Sequence, residues 1–256
     1  MTVAELYARL NELIPASLSC EWDNDGIMCL PEPEREVRSV LIALDITEAV
    51  VDSAVADCCD VIISHHPLLF RGVKHMSMTD PVSRRTIKLC RAGIAAFSFH
   101  TRLDALDGGV NDVLADLVGL LNVEPFGEEG IGRVGTLAKP MNAKDFAALV
   151  AERLGAPAVT LADAGKPISR VAVLGGSGGD DVPAALATGA DSYLTGEASH
   201  HWLIDAPEMG LSLIVAGHHH TEAPVLDALL DLLDRLLPGV EVCTMDSNPT
   251  QTVLGL

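Results

Sequence analysis

Six side chains of types that can bind metals stand out in the sequence: His65, His66, His100, Asp104, His218 and Glu222. Imidazole nitrogens and carboxylate oxygens together suit Zn, Fe, Mn, Co or Ni, and donor type alone does not choose among them. His100-x-x-x-Asp104 and His218-x-x-x-Glu222 share one spacing. His65 and His66 are adjacent, and Pro67 keeps His66 extended. Neighbouring side chains on a strand point to opposite sides, so the pair is expected to diverge and hold one ion each. Two ions about 3.5–4 Å apart, bridged by a carboxylate, form the usual hydrolytic dinuclear site and activate a water for attack. Glu222, or a histidine not committed to metal such as His100, is the candidate for moving the proton. A lone histidine at a strand end is ordinarily structural or solvated. Six such groups at predicted strand ends argue for a site.

The elements that must position them are legible in outline. Thr2 and Glu5 form a capping box for a helix through about Ile14, stopped by Pro15. Arg38 to Leu44 is an apolar strand, and Thr47 caps a helix to about Cys59. Val61-Ile62-Ile63 is a strand that ends at His65-His66-Pro67. Asp80-Pro81 opens a helix that Gly93 closes, and Ile94 to Phe99 is a strand ending at His100. Strands alternating with helices, apolar on both faces, predict a mainly parallel α/β sheet. Residues 122–166 change character, with a Gly-rich opening, a strand from Arg133 to Leu137 and a helix capped by Asn142.

After Lys166 the first pattern returns. Arg38 to Leu44 resembles Ser169 to Leu174; Asp60 to Ser64 resembles Asp191 to Thr195; Ala92 to His100 resembles Met209 to His218. The expected organisation is therefore two similar, interlinked α/β halves from an internal duplication. These are residues 1–121 and 167–256, joined by a linking subdomain over 122–166, with the metal site in the cleft between the halves. Gly108-Gly109 and Ala223-Pro224 suggest that helices begin after each carboxylate, which would put the His-x-x-x-carboxylate spacing in strand-to-helix loops.

Bulk properties narrow the function classes. The chain has 256 residues and a formal net charge of -19, which repels a phosphate backbone and anionic membranes. No run of about 18 apolar residues spans a membrane. The N-terminus lacks the basic-then-apolar pattern of a signal peptide. The six cysteines form no C-x-x-C pair, which excludes a zinc–thiolate site and fits thiols in a reducing cytoplasm. No Gly-x-Ser-x-Gly elbow supports a serine triad. Gly175-Gly176-Ser177-Gly178-Gly179 could cradle a phosphate, but it lacks the P-loop lysine and runs into Asp180-Asp181, so a tight turn is the preferred reading. His75, His219 and His220 are read as exposed or supporting residues. Glu197-Ala198-Ser199-His200-His201 takes the place of His65-His66 in the second half, shifted by a few residues.

Several motifs together resemble the NIF-three-like family, whose members are called GTP cyclohydrolase 1 type 2 homologues. They are Glu21-Trp22-Asp23-Asn24-Asp25-Gly26, Ser64-His65-His66-Pro67, His100-Thr101-Arg102-Leu103-Asp104, Gly175-Gly176-Ser177-Gly178 and Gly217-His218-His219-His220-Thr221-Glu222. Arg102 departs from the family's usual Asn and is expected to bring positive charge near the site. The resemblance implies a dinuclear centre, with His66 and Asp104 on one ion, His65 and His218 on the other, and Glu222 bridging. It also implies a homo-oligomer, often a ring-shaped hexamer.

Two function classes follow. One is a metal-dependent hydrolase acting on a nucleotide or related small molecule, GTP cyclohydrolase-like by resemblance. Against it, no phosphate-clamping set is evident and only 17 Lys and Arg are present. The other is a non-enzymatic protein that stores or delivers metal, or a metal-responsive interaction partner. A purely structural role, metals clamping the halves, would make the protein unfold when they are removed.

Overall fold

The computed structural model describes residues 1–248, Thr250 and Thr252. Pro249, Gln251 and 253–256, at the end of the expected 167–256 segment, lie outside the described residues. In chain order the first elements are α1 (Val3–Leu13), β1 (Gly26–Cys29), β2 (Ser39–Ala43), α2 (Glu48–Ala56), β3 (Val61–Ser64), α3 (Pro81–Ala92), β4 (Ala95–Ser98) and α4 (Thr101–Ala105). Next come α5 (Val110–Leu117), β5 (Leu120–Phe126), β6 (Gly132–Met141), α6 (Ala143–Arg153), β7 (Thr160–Ala162) and β8 (Ile168–Leu174). The last are α7 (Val182–Ala187), β9 (Ser192–Thr195), α8 (His200–Glu208), β10 (Ser212–Val215), α9 (His218–Glu222), α10 (Val225–Leu236) and β11 (Glu241–Thr244). None of the described helices is long and apolar enough to cross a membrane.

The chain divides into two compact units, Met1–Leu103 with Leu226–Pro249, and Asp104–Val225 with Thr250–Leu256. The first holds a sheet of order β1-β4-β3-β2-β11. Its strands run parallel except β1, which lies antiparallel on β4. Every residue of β3 and β4 is buried, as a parallel strand covered on both faces requires. Leu41, Ile62 and Ala96 pack there with Val50 and Val51 of α2 and Leu89 of α3. The caps are those the sequence signals. Thr2 and Glu5 bond reciprocally. Asp80 accepts from the Ser83 amide at 2.8 Å, and Gly93 closes α3 at φ 71°, where a side chain would be strained.

The second unit holds a sheet of order β5-β6-β8-β9-β10-β7. Here β8, β9 and β10 are parallel, while β5, β6 and β7 pair antiparallel at the flanks. Val171, Val173, Leu194 and Ile214 face Leu114, Phe146 and Val150 on one side. Ala172, Tyr193 and Leu213 face Val182, Ala185 and Ala206 on the other. Residues expected to form a linking subdomain are thus built into this sheet. Residues 104–121 also belong to this unit, and 226–249 return to the first, where β11 pairs with β2.

The same fastening recurs in both sheets. A carboxylate oxygen of buried Asp60, just before β3, accepts the Arg38 and Ser39 amides at 2.7 and 3.1 Å. Asp191, just before β9, accepts the Ser169 and Arg170 amides, both at 2.9 Å. Each aspartate locks the register of two parallel strands. Asp60 also meets Arg35 at 2.6 Å. Replacing Asp60 by Ala should lower unfolding free energy by about 3 kcal/mol, since it strands two part-buried amides and an arginine, and Asp191→Ala by about 2 kcal/mol. Urea-melt midpoints check both; no shift at either position would show that the strands hold register without them.

Candidate metal centre

In a parallel sheet, loops after the carboxyl ends of the strands gather at one edge, and ligands bind there. In the first unit those loops carry Asp45 after β2, His65 and His66 after β3, and His100 after β4. In the second they carry Gly175 and Gly176 after β8, Glu197 after β9, and His218 after β10.

In the first unit His65, His66 and His100 come together, with one ring nitrogen from each within 4.8 Å of the others. The His65 and His66 ring centres are 4.8 Å apart, and His100 lies 5.3 and 5.7 Å from them. The opposite side of each ring is anchored. Nδ1–H of His65 donates to the Phe99 carbonyl at 3.0 Å, and those of His66 and His100 donate to Asp45 and Asp23 at 2.8 and 2.9 Å. A carbonyl or carboxylate can only accept, so each neutral ring carries its proton on Nδ1 and its lone pair on Nε2. Burial pushes the Asp23 carboxyl upward, but hydrogen bonds from His100 and Thr101 and the attraction of His100 outweigh this and hold it well below the usual carboxylate range. The backbone is held too. The His66 carbonyl accepts from Ser64 at 2.8 Å and Ser98 at 3.2 Å, two buried hydroxyls at the ends of β3 and β4.

The second unit repeats the arrangement. Nδ1–H of His218 donates to Glu197 at 3.0 Å, and Nε2 lies 3.2 Å from Glu222, one turn on in α9. Glu222 is buried, and one of its oxygens lies within 4.8 Å of one of Asp104. Two carboxylates so near repel unless a proton or cation joins them. Buried Asn111 steadies this group, accepting from the Gly175 amide at 2.8 Å and donating to the Asp104 carbonyl at 3.3 Å. Gly176 sits at φ +65°, and a Cβ there would strike the Glu222 carboxylate. Imidazoles presenting Nε2 and paired carboxylates are donors that fit a divalent cation.

Residues 1–251 match the family model Duf34/NIF3 (NGG1p interacting factor 3). The chain belongs to this family. A Clostridium perfringens protein named GTP cyclohydrolase 1 type 2 homolog is 33% identical over 88% of each chain. A Schizosaccharomyces pombe protein named NIF3 homolog is 32% identical over 99% of this chain and 100% of its own length. Among solved structures, Staphylococcus aureus protein SA1388 superposes with TM-score 0.88 at 27% identity, covering 99% of both chains. Reduced HcgD from Methanocaldococcus jannaschii gives TM-score 0.85 at 28% identity, covering 95% of this chain and 97% of its own.

This Duf34/NIF3 chain departs from several sequence expectations. The histidine pair does not diverge: β3 ends at Ser64, so strand alternation stops before His65 and the rings sit side by side. The second His-x-x-x-carboxylate motif is helical rather than looped, because α9 runs from His218 to Glu222; in the first, His100 stands just before α4, which contains Asp104. At four residues' separation one turn of helix brings the two ends of such a motif together. Arg102 does not lend its charge to the site. It is buried, forms a two-pronged bond to Asp25 at 2.8 and 2.5 Å, and also bonds Asn11 and the Ile14 carbonyl. The glycines of the Gly-rich loop admit Glu222 and Tyr193 against the backbone. His200 and His201 open α8 as exposed residues, while Glu197 of the same stretch anchors His218. His75 is exposed, and His219 and His220 are half-buried.

Of the anchors, Asp45 has no sequence signal, while Asp23 lies in the Glu21–Gly26 motif and Glu197 in the stretch that takes the place of His65-His66 in the second half. Gly176→Ala should cost about 2 kcal/mol or more, from the left-handed backbone and the displaced carboxylate, and should weaken divalent-cation binding. Thermal melts and calorimetric titration with Mn2+ check this; a variant that binds like wild type would remove Glu222 from the site.

Proposed function

We propose that this chain binds two divalent metal ions and uses them to hydrolyse a nucleotide or related small molecule, in the manner its relatives' name, GTP cyclohydrolase 1 type 2 homolog, suggests. The observation that carries the reading is the shared anchoring of four histidines, each giving Nδ1–H to an oxygen acceptor and so presenting Nε2. Histidines that ligate metals are almost always held this way. The ligand set is the one the resemblance implies: His66 and Asp104 for one ion, His65 and His218 for the other, and Glu222 shared. The ions, when bound, supply Lewis-acid polarisation and a water acidified toward neutrality.

The residues of the chain do the rest. Asp45 and Glu197 fix the tautomers of His66 and His218 and raise the basicity of Nε2. Asp23, buried beside His100, holds that ring at Nδ1 and leaves Nε2 turned away from it, which suits His100 to carry a proton to or from substrate. Glu222 offers the second proton-accepting group. A reducing cytoplasm and a homo-oligomer, a hexamer by resemblance, belong to the same proposal.

Metal-replete protein should carry close to two divalent ions per chain by plasma mass spectrometry; fewer than one would defeat the dinuclear reading. Glu222→Ala should lose more metal than His219→Ala, and Asp45→Asn should weaken affinity about 10–100-fold while circular dichroism stays unchanged. Equal loss at 219 and 222, or no effect at 45, would mean that the ligands are misassigned.

Activity is a separate question. Wild type should convert GTP to a formylated pyrimidine product, and His66→Ala should abolish it. Full metal loading without turnover on GTP or other nucleotides would support metal storage or delivery instead.

A further inference from the structure

Beside the three histidines of the first unit lies a loop with its own character. It leaves β3 at His65-His66-Pro67 and runs to Pro81, the first residue of α3. A cavity of about 760 Å³ opens along it, lined by Phe70, Arg71, Lys74, His75 and Asp80 among others. That is within the range that holds a small ligand. Its charge runs against the rest of the molecule. From Arg71 to Arg91 there are six Lys and Arg and one acid, Asp80, in a chain whose net charge is -19.

Three of those cations are already engaged. Arg84 and Lys88 pair with Glu48, Lys88 also with Asp52, and Arg85 bonds the Ile46 and Pro81 carbonyls. Asp80 is occupied in capping α3. Arg71 and Lys74 make no ion pair among the described residues, and both line the cavity.

The second observation concerns aromatic rings. Phe97, Phe99, Phe126 and Phe146 are buried, but Phe70 is 45% exposed and Trp22 59% exposed. These two lie 6.3 Å apart and edge-on, each about edge-on to His100, at 6.0 and 6.2 Å. Standing nearly perpendicular, the two rings cannot both stack on one planar ligand; the more exposed Trp22 is the one placed to offer a face, with Phe70 at its side. The placement is built in. The Asn24 side-chain amide donates to the Leu69 carbonyl, and the Leu69 amide donates to Met28 Sδ at 3.4 Å, so the Trp22 turn and the Phe70 loop are tied together. Phe70 lines the cavity and touches His100, which joins the cationic pocket to the histidine cluster.

We propose that Trp22 stacks a planar heteroaromatic ring at His100, with Phe70 edge-on beside it, while Arg71 and Lys74 hold a phosphate on the same molecule. The ligand class is a phosphorylated heterocycle, a nucleoside phosphate being the simplest case. This deepens the hydrolase reading above and rests on it for the identity of the reacting site. Asp80 is the only carboxylate among the residues lining this pocket.

The test is calorimetric titration of the full, metal-loaded chain with guanosine 5′-monophosphate, guanosine and ribose 5-phosphate, with metal content measured on each sample. The monophosphate should bind at least about tenfold more tightly than either fragment. Arg71→Ala with Lys74→Ala should erase its advantage over guanosine, together with the salt dependence. Trp22→Ala should erase its advantage over ribose 5-phosphate, whereas Trp22→Phe, which keeps a ring, should retain most of it. Monophosphate binding no tighter than ribose 5-phosphate, or untouched by both sets of substitutions, would overturn the proposal. If two metals are present and the monophosphate does not bind, this inference fails while the metal reading stands. If the monophosphate binds a sample that holds no metal, the reverse is true.

Discussion

An imidazole has two nitrogens, and in the neutral ring only one can offer a lone pair. What grips the other therefore decides whether a histidine can be a ligand at all. Here the grip is supplied by oxygens that can only accept: the Phe99 carbonyl, Asp45, Asp23 and Glu197. The first two hold adjacent residues, so the orientation of His65 and His66 rests on two different strands beside their own. Phe99 follows β4 and Asp45 follows β2. Neither histidine would face the same way if those strands slipped by one residue, since a slip of one reverses every side chain.

Register is accordingly the property on which each group of candidate ligands depends, and each sheet secures it in the same manner. Asp60 and Asp191 stand before the middle strand of a parallel triplet and take two successive amides from its neighbour. Parallel ladders are slanted and individually weaker than antiparallel ones, so a charged clamp at the start of the pair is well placed. At the other end of the strands, the ladder runs on past the last strand residue. The His66 amide reaches the Leu44 carbonyl at 2.9 Å and the Glu197 amide reaches the Gly176 carbonyl at 2.8 Å. The loops that carry the donors thus begin as continuations of the sheet.

Much of this could be read from sequence because it is local. Thr2 with Glu5, Asp80 with Pro81, and Gly93 announce helix ends through bonds within a few residues, and the buried strands announce themselves by continuous apolar runs. The six donors were legible because their types are rare in such runs. What escaped has a physical reason in each case. β5 is exposed at five successive positions and contains Pro125, so it has no strand periodicity and is held only by β6. β11 is mostly exposed and owes its place to β2, some 200 residues earlier, with Val242 opposite Val40. Helices α4 and α9 are single turns of five residues, too short for any periodicity, yet α9 decides that Glu222 returns to His218. Arg102 looked functional because charge is visible in a sequence and its partner Asp25 is not.

The chain's acidity also had to be read at the right length scale. A net charge of -19 argues soundly against a duplex, whose phosphates recur along an extended surface and feel the whole protein. A single phosphate feels little beyond about 8–10 Å at physiological ionic strength. Within that radius, what counts is which cations are already neutralised. Around α3 the acids Glu48 and Asp52 neutralise Arg84 and Lys88, so those residues add nothing to an outside ligand. Arg71 and Lys74 sit on the loop ahead of the helix, where the sole carboxylate of the segment is turned to the α3 amides. A molecule repelling anions overall can in this way hold one small attractive pocket, and can place it next to the side chains that would act on what it binds.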